Sequence, residues 1–249
     1  MMCTLGVIPH HYLFKTRDLW QNSGQNEVVV EKGDCFRYIG VQGHAHPNEK
    51  GLNSGINNAG LAVAITFVDR VTLEDALASK TPRGVLVEDI LGHCRTMVEA
   101  VQRFISYWNS PLVGGNIVIA TPEGGVTIEQ LHPLSALEWH SEHPVVRTNH
   151  FVNLNADIHV LNELQDTFDW YQRNSRDRYR RTEELLGEEV FDVSSIQMLL
   201  SDHEGDHPIC SHSGNLVTRS AAIYDLERLE LHYHSGSPCN NKWKTFTLS

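Results

Sequence analysis

The chain has 249 residues, 41% of them hydrophobic and 20% charged, and carries a formal net charge of −11. That length and apolar content supply a core for one large domain or two small ones and exclude a disordered chain, while the acidic balance argues against general nucleic-acid or anionic-membrane binding. No apolar run approaches the roughly 18 residues that cross a bilayer, and "CTLGVIP", followed at once by His10, His11, Lys15, Arg17 and Asp18, is too short for a secretory signal. The five cysteines (Cys3, Cys35, Cys94, Cys210 and Cys239) are odd in number, widely spaced and free of any CxxC pair. That usage indicates neither a disulfide framework nor a structural zinc site, and it points to the cytoplasm.

Taken in chain order, residues 3–9 (CTLGVIP), "HYLF" at 11–14, "NEVVVEKG" and "CFRYIGVQG" read as four short strands. Pro47 to Ser54 is polar and contains Gly and Asn, so it reads as a loop. "GLAVAITFV" at 60–68 is a nearly unbroken apolar run of strand length, the pattern of a strand buried on both faces. From Thr72 the apolar spacing changes to threes and fours. Thr72 with Asp75 resembles a helix N-cap, and Pro82 opens a second helical stretch. "GGNIVIATPEGGVTIEQL" predicts a hairpin turning at Pro122–Gly125, and "LEWHSEHPVVRTN" continues as strand. Residues 160–186 read as a helix with a charge-dense, solvated face from Arg173 to Arg181. "DVSSIQMLLSDH" reads as a short capped helix, and the C-terminal segment as a closing hairpin plus a last strand. Strands, a helix pair, strands, helices and strands in that order, without a linker or repeat, predict a single α+β domain over residues 1–249 with sheets between helix layers.

Cys3 is the residue with the most chemistry to offer. A cysteine at a free N-terminus carries its own base, because an α-amine of pKa roughly 7.7–8.0 is partly unprotonated at neutral pH and can take the thiol proton. Such a nucleophile needs a cation and a carboxylate or amide to set the amine, and donors to receive the oxyanion. Arg17 and Asp18 in "TRDL" follow one strand-length after Cys3, so a hairpin returns them to its side.

Several stretches in order carry a resemblance. "MCTLGV", "LFKTRDLW", "GINNAGLAVAITFVD" and "RTNHF" are similar to the corresponding segments of N-terminal-nucleophile (Ntn) hydrolases acting on linear amides. That group includes bile-salt hydrolases, penicillin V acylases and acyl-CoA:6-aminopenicillanate acyltransferase-like proteins. "NSRDRYRRTEELL", "LLSDHEGDHPICSH" and "VTRSAAIYDLERLELHYHSGSPC" follow the last of these in order. The resemblance implies an αββα four-layer sandwich and assigns roles residue by residue. Cys3 is the nucleophile, Arg17 and Asp18 set and orient its amine, and Asn149 serves the oxyanion hole. Arg176 or Arg178 matches a late active-site arginine, with Arg176 preferred because it follows a serine. Thr16 stands where the family pattern has Asn, and Thr66 where bile-salt hydrolases carry a second Asn. If a backbone N–H at that position completes the oxyanion hole, the change of side chain is of no consequence there.

The implied activity is hydrolysis of the amide C–N bond of a small N-acyl compound through a thioester, or acyl transfer from the same intermediate. No metal and no cofactor is required. The implied partner is the small substrate, with no nucleic acid and no membrane, and homo-oligomerisation is left open. Met1 and Met2 have to leave for Cys3 to use its amine, either by initiator-Met excision at Met2 or by self-cleavage. Trp20, Phe67 and Tyr179 are candidates to line an acyl pocket, and Cys239 in "GSPC" reads as structural. A reading of another class rests on the 15 histidines. His44 with His46, His232 with His234, and "DHEGDH" (Asp202, His203, Asp206, His207) suggest a metal-binding module without catalysis. Since no pair has a third ligand at established zinc spacing, ordinary surface roles are the better account.

Overall fold

A tight hairpin begins the described chain. Strand β1 (Leu5–Ile8) turns back through His10 into β2 (Tyr12–Trp20), with Leu5 opposite Lys15 and Val7 opposite Leu13. The strands approach closely at Gly6, where a Cβ would lie 2.2 Å from the Phe14 ring. Any side chain there would push Phe14 out of its site. The computed structural model describes residues 2–21, 27–33, 35–43, 50–68, 81–107, 112, 114–155, 165–187, 192–212, 214, 216–240 and 242–248. The expected Thr72/Asp75 helix start and His44/His46 lie outside the described residues.

The hairpin sits in a six-stranded antiparallel sheet of order β10-β1-β2-β11-β12-β13, completed by β10 (Val145–Arg147), β11 (Leu216–Asp225), β12 (Glu230–Ser235) and β13 (Lys244–Thr247). Facing it is a seven-stranded antiparallel sheet in sequence order: β3 (Glu27–Gly33), β4 (Arg37–Gly43), β5 (Leu52–Asn57), β6 (Ala62–Phe67), β7 (Gly115–Thr121), β8 (Gly124–Leu131) and β9 (Leu134–His140). Helices α1 (Arg83–His93) and α2 (Met97–Ser106) cover the outer face of the second sheet, and α3 (Gln165–Leu186) and α4 (Val193–Leu200) that of the first.

Side-chain alternation divides the apolar residues among three cores. Leu5, Val7, Leu13, Ala222 and Tyr224 face Ile39, Ile56, Ala62, Val118 and Ala120 between the sheets. Their neighbours Ile8, Phe14, Ala221 and Ile223 turn outward onto Leu186, Ile196 and Leu200 of the α3–α4 layer. Ile117, Ile119, Val126 and Ile128 pack under Leu86, Ile90 and Phe104 of α1 and α2. The architecture is the αββα sandwich. No helix of the described residues is long and apolar enough to cross a membrane.

Three expectations are corrected. Leu52–Asn57, within and beyond the expected loop, is a fully buried strand paired on both sides. Its polar side chains are satisfied inside: Tyr224 donates to Ser54 Oγ, and Asn57 Nδ2 donates to the Leu91 and Cys94 carbonyls at the end of α1. Asn57 Oδ1 also accepts from Ala59 and Leu61 and so forms the turn into β6, where Gly60 takes φ +81°. The second strand does not stop at Phe14 but runs to Trp20 through a buried polar stretch. The helical stretch from Pro82 is interrupted after Cys94, where Thr96 and Glu99 form a capping box that starts α2.

Candidate active site

The register of the hairpin decides what surrounds Cys3. Thr4 pairs with Thr16 (Thr16 N to Thr4 O 2.8 Å), and Met2 exchanges backbone hydrogen bonds with Asp18 at 2.9 and 2.8 Å. Cys3 is therefore the cross-strand neighbour of Arg17. Alternation turns Lys15 and Arg17 toward the inter-sheet side and Thr16 and Asp18 toward the α3–α4 layer. All are buried: Cys3 is 1% exposed, Arg17 1% and Asp18 4%. Asn149 arrives from the loop after β10, which pairs with β1 through Leu5 and Arg147.

Asn149 is the hub. Its Oδ1 accepts from Cys3 N at 2.9 Å and from Arg178 Nη2 at 2.8 Å, and its Nδ2 donates to the Phe67 carbonyl at 2.6 Å. Those three contacts orient the amide and leave one Nδ2 hydrogen uncommitted among the described residues. Its own N–H donates to Ser175 Oγ at 2.8 Å. Thr148 Oγ1 lies 2.9 Å from the same hydroxyl, and its carbonyl accepts from Thr66 Oγ1 at 2.6 Å and Asn116 Nδ2 at 3.0 Å. The Thr66 side chain thus holds the Asn149 loop.

Arg178 closes the site from the helix layer. Nη1 donates to the Cys3 carbonyl at 2.7 Å and to Thr4 Oγ1 at 2.9 Å, and Nε to Asn174 Oδ1 at 2.9 Å. Burial pushes its guanidinium pKa down, opposed by Asp18 and Cys3, while burial raises the Asp18 carboxyl, opposed by Arg178 and by a 2.8 Å hydrogen bond from Thr218 Oγ1. Each charge is expensive to bury and is partly compensated by the other.

Cys3, Arg17, Asp18 and Asn149 come together, whereas Arg176 does not. It is exposed on α3, and Arg178 takes the place expected for it. The reason is helical phase: Ser175, Arg178 and Thr182, at i, i+3 and i+7, form one buried stripe, and Arg176 points about 200° away from Arg178. The spacing of small polar residues around Arg178 was the available signal.

Glu129 was missed altogether. Buried on β8, it accepts from Arg147 Nε at 2.9 Å and from the N–H groups of Val152, Asn153 and Leu154 at 2.8, 2.9 and 2.7 Å. It ties the loop that carries Asn149 to the opposite sheet. Of the suggested acyl-pocket residues, Trp20 is exposed. Tyr179 lines a cavity of about 390 Å³ with Trp139, His140 and Val146, to which Cys3 and Asn149 do not contribute.

The histidine reading also changes. His234 contacts the Gly236 carbonyl and the Trp243 ring, and His232 groups with Asp225 and Glu230. Asp202 binds Arg181 and His207 binds Asp177. The fold, rather than any spacing along the chain, brings His203 together with Cys210, His212 and Cys239.

Among solved structures, the chain is similar to a penicillin V acylase from Agrobacterium tumefaciens (TM-score 0.54, 13% identity, covering 94% of this chain and 83% of that one). It is similar to a mutant conjugated bile acid hydrolase from Clostridium perfringens (TM-score 0.59, 12% identity, 100% and 97% covered). It is also similar to the Caenorhabditis elegans N-acylethanolamine-hydrolyzing acid amidase ortholog (TM-score 0.58, 13% identity, 100% of both chains). These likenesses establish the Ntn hydrolase fold. No curated protein matches by sequence. The model of the acyl-coenzyme A:6-aminopenicillanic acid acyl-transferase family matches residues 9–240, and the chain belongs to that family.

Proposed function

We propose that this protein is an Ntn cysteine amidohydrolase that cleaves the amide bond of a small N-acyl compound, acting in a mature form that begins at Cys3. The observation that carries the reading is the convergence on Cys3 of Asn149 Oδ1 at its nitrogen and Arg178 Nη1 at its carbonyl. Family membership and the names of the acylase, hydrolase and amidase neighbours support it.

With Cys3 terminal, its nitrogen becomes a free amine held by the Asn149 oxygen. The amine takes the thiol proton and the thiolate attacks the amide carbon. The uncommitted Nδ2 hydrogen of Asn149 and a backbone N–H near Thr66 receive the oxyanion, and Arg178 lends positive charge. The protonated amine then gives its proton to the leaving nitrogen, forming the thioester and free amine. Water, activated by the same α-amine, releases the carboxylic acid and restores the thiol. Delivery to an acceptor amine instead of water gives the transferase reaction named in the family description.

The same atoms suit removal of the preceding segment. The Met2 carbonyl already accepts from Asp18 N at 2.8 Å, so attack by the Cys3 thiol on it meets a donor in place. The peptide nitrogen of Cys3 departs with the thiol proton as the free amine, the preceding segment is left as a thioester on Cys3 Sγ, and water hydrolyses that thioester, releasing the segment as an acid and restoring the thiol. The cysteines are all free thiols, which supports a cytoplasmic, reducing setting. The test is Cys3→Ala assayed against a panel of N-acyl amides. We expect a folded protein with no turnover, since the replaced side chain is small; full activity in that variant refutes the proposal.

A further inference from the structure

We propose that His203, Cys210, His212 and Cys239 bind a zinc ion, in a structural site beside the catalytic one and independent of its chemistry. The four donor atoms lie within 4.8 Å of one another. His212 Nε2 is the centre of the group, 2.7 Å from His203 Nε2, 3.1 Å from Cys239 Sγ and 3.5 Å from Cys210 Sγ. The two imidazoles stack with centroids 4.8 Å apart. Two thiols and two imidazoles aimed at one point are the donor set of a tetrahedral S2N2 site, which selects zinc over hard cations.

The dimensions agree. Zn–N of about 2.0–2.1 Å and Zn–S of about 2.3 Å in a tetrahedron put donors roughly 3.3–3.8 Å apart. The 3.5 Å contact already lies in that range, those at 2.7 and 3.1 Å reach it by outward shifts and separations up to 4.8 Å by inward ones, each of about 1 Å or less, and His203 and His212 are exposed and able to make them. Binding displaces one proton from each thiol to solvent, and the two thiolates neutralise the dication.

The ligands come from three chain segments that only the fold unites. His203 follows α4, Cys210 and His212 precede β11, and Cys239 sits in a 3-10 turn (Pro238–Asn240) after β12. The frame beneath them is built. Cys210 is fully buried, and its N–H donates to the Asp202 carbonyl at 2.9 Å, which couples it to the residue before His203. Asp202 is in turn clamped by Arg181 at 2.8 and 3.1 Å. Between Cys210 and His212, Ser211 N donates to Thr218 Oγ1 at 2.9 Å, the hydroxyl that donates to Asp18. An ion here therefore fixes three crossing segments directly behind the Asp18 carboxylate.

The experiment measures metal in the full chain purified under reducing conditions, then exchanges it for cobalt. We expect about one zinc per chain, cobalt absorption with thiolate charge-transfer and tetrahedral d–d bands, and a lowered Tm after chelation. The double variant His203→Ala, Cys239→Ser, which leaves buried Cys210 in place, should lose both the zinc and the cobalt spectrum. A folded, reduced wild-type chain that takes up neither ion in stoichiometric amount overturns the proposal. So does a variant that keeps the full spectrum, or a Cys210–Cys239 disulfide that, once reduced, binds no ion. These readouts are metal content, cobalt spectrum and Tm, so the role of Cys3 is left to its own test by Cys3→Ala.

Discussion

Two arginines, two residues apart on one helix, have opposite fates. Arg176 is solvated, whereas Arg178 is 1% exposed and spends all three guanidinium nitrogens on Cys3, Thr4, Asn149 and Asn174. A fork of fixed donors suits that site, and lysine offers only a point charge. Arg178→Lys should therefore lower kcat by about 10²–10³, the usual effect of losing a preorganised donor, while Arg176→Ala leaves it unchanged. Steady-state kinetics on the two variants decides the matter, and equal losses would contradict the assignment. The motifs around Cys3, Arg17, Asp18 and Asn149 were legible because each lies in a short contiguous stretch. Arg178 was legible only as one of a pair, since an arginine-rich helix gives no sign of its phase until something packs on it.

At the scale of elements, the site depends on how one loop is hung. Residues 148–150 are suspended from Thr66 and Asn116 of one sheet and Ser175 of α3, and Glu129 grips residues 152–154 from below. Glu129 and Arg147 form a buried pair between the two sheets, with side chains 1% and 3% exposed. Removing Glu129 leaves Arg147 only its half-exposed second partner, Glu138, and strips three backbone N–H groups of their acceptor, a combined cost of about 3–5 kcal/mol. Glu129→Ala should lose that much in urea unfolding, and a loss below about 1 kcal/mol would show that the loop is held by its other bonds. Strands with apolar alternation, such as Ile117 to Ala120, were readable from sequence. Leu52–Asn57 was not, because Asn53, Ser54 and Asn57 are polar for internal partners 4 to 170 residues away or right beside them, a use that looks the same as a loop in composition. The polar half of β2 is the mirror case, a strand whose charges face the site.

For the whole molecule, titration couples to stability. Burial lowers the pKa of His140, His232 and His234. In the unfolded chain they return to roughly 6.5, so just below that pH the unfolded state holds more protons. Their contribution is complete above about 6.5 and is lost as pH falls through the lowered folded values. Asp18, raised by burial, acts in the opposite sense: its contribution is present below about 3.9 and lost as pH rises through the folded value. In an Asp18→Asn background, which removes the opposing group, these three histidines set the trend. Urea midpoints of that variant should fall between about pH 7 and 5; a flat or rising midpoint would contradict the burial of these rings. The layered fold was legible from the order of elements, because strands and helices alternate in blocks. The meeting of His203, Cys210, His212 and Cys239 was not, because the last ligand lies 27 residues beyond the one before it. The central claim is that Cys3 is the terminal nucleophile, and intact-mass spectrometry of active protein, before and after a brief exposure to an N-acyl amide, tests it most directly. The account predicts a chain whose first residue is Cys3 and that gains one acyl group on that residue; fully active protein still carrying Met2 would contradict it.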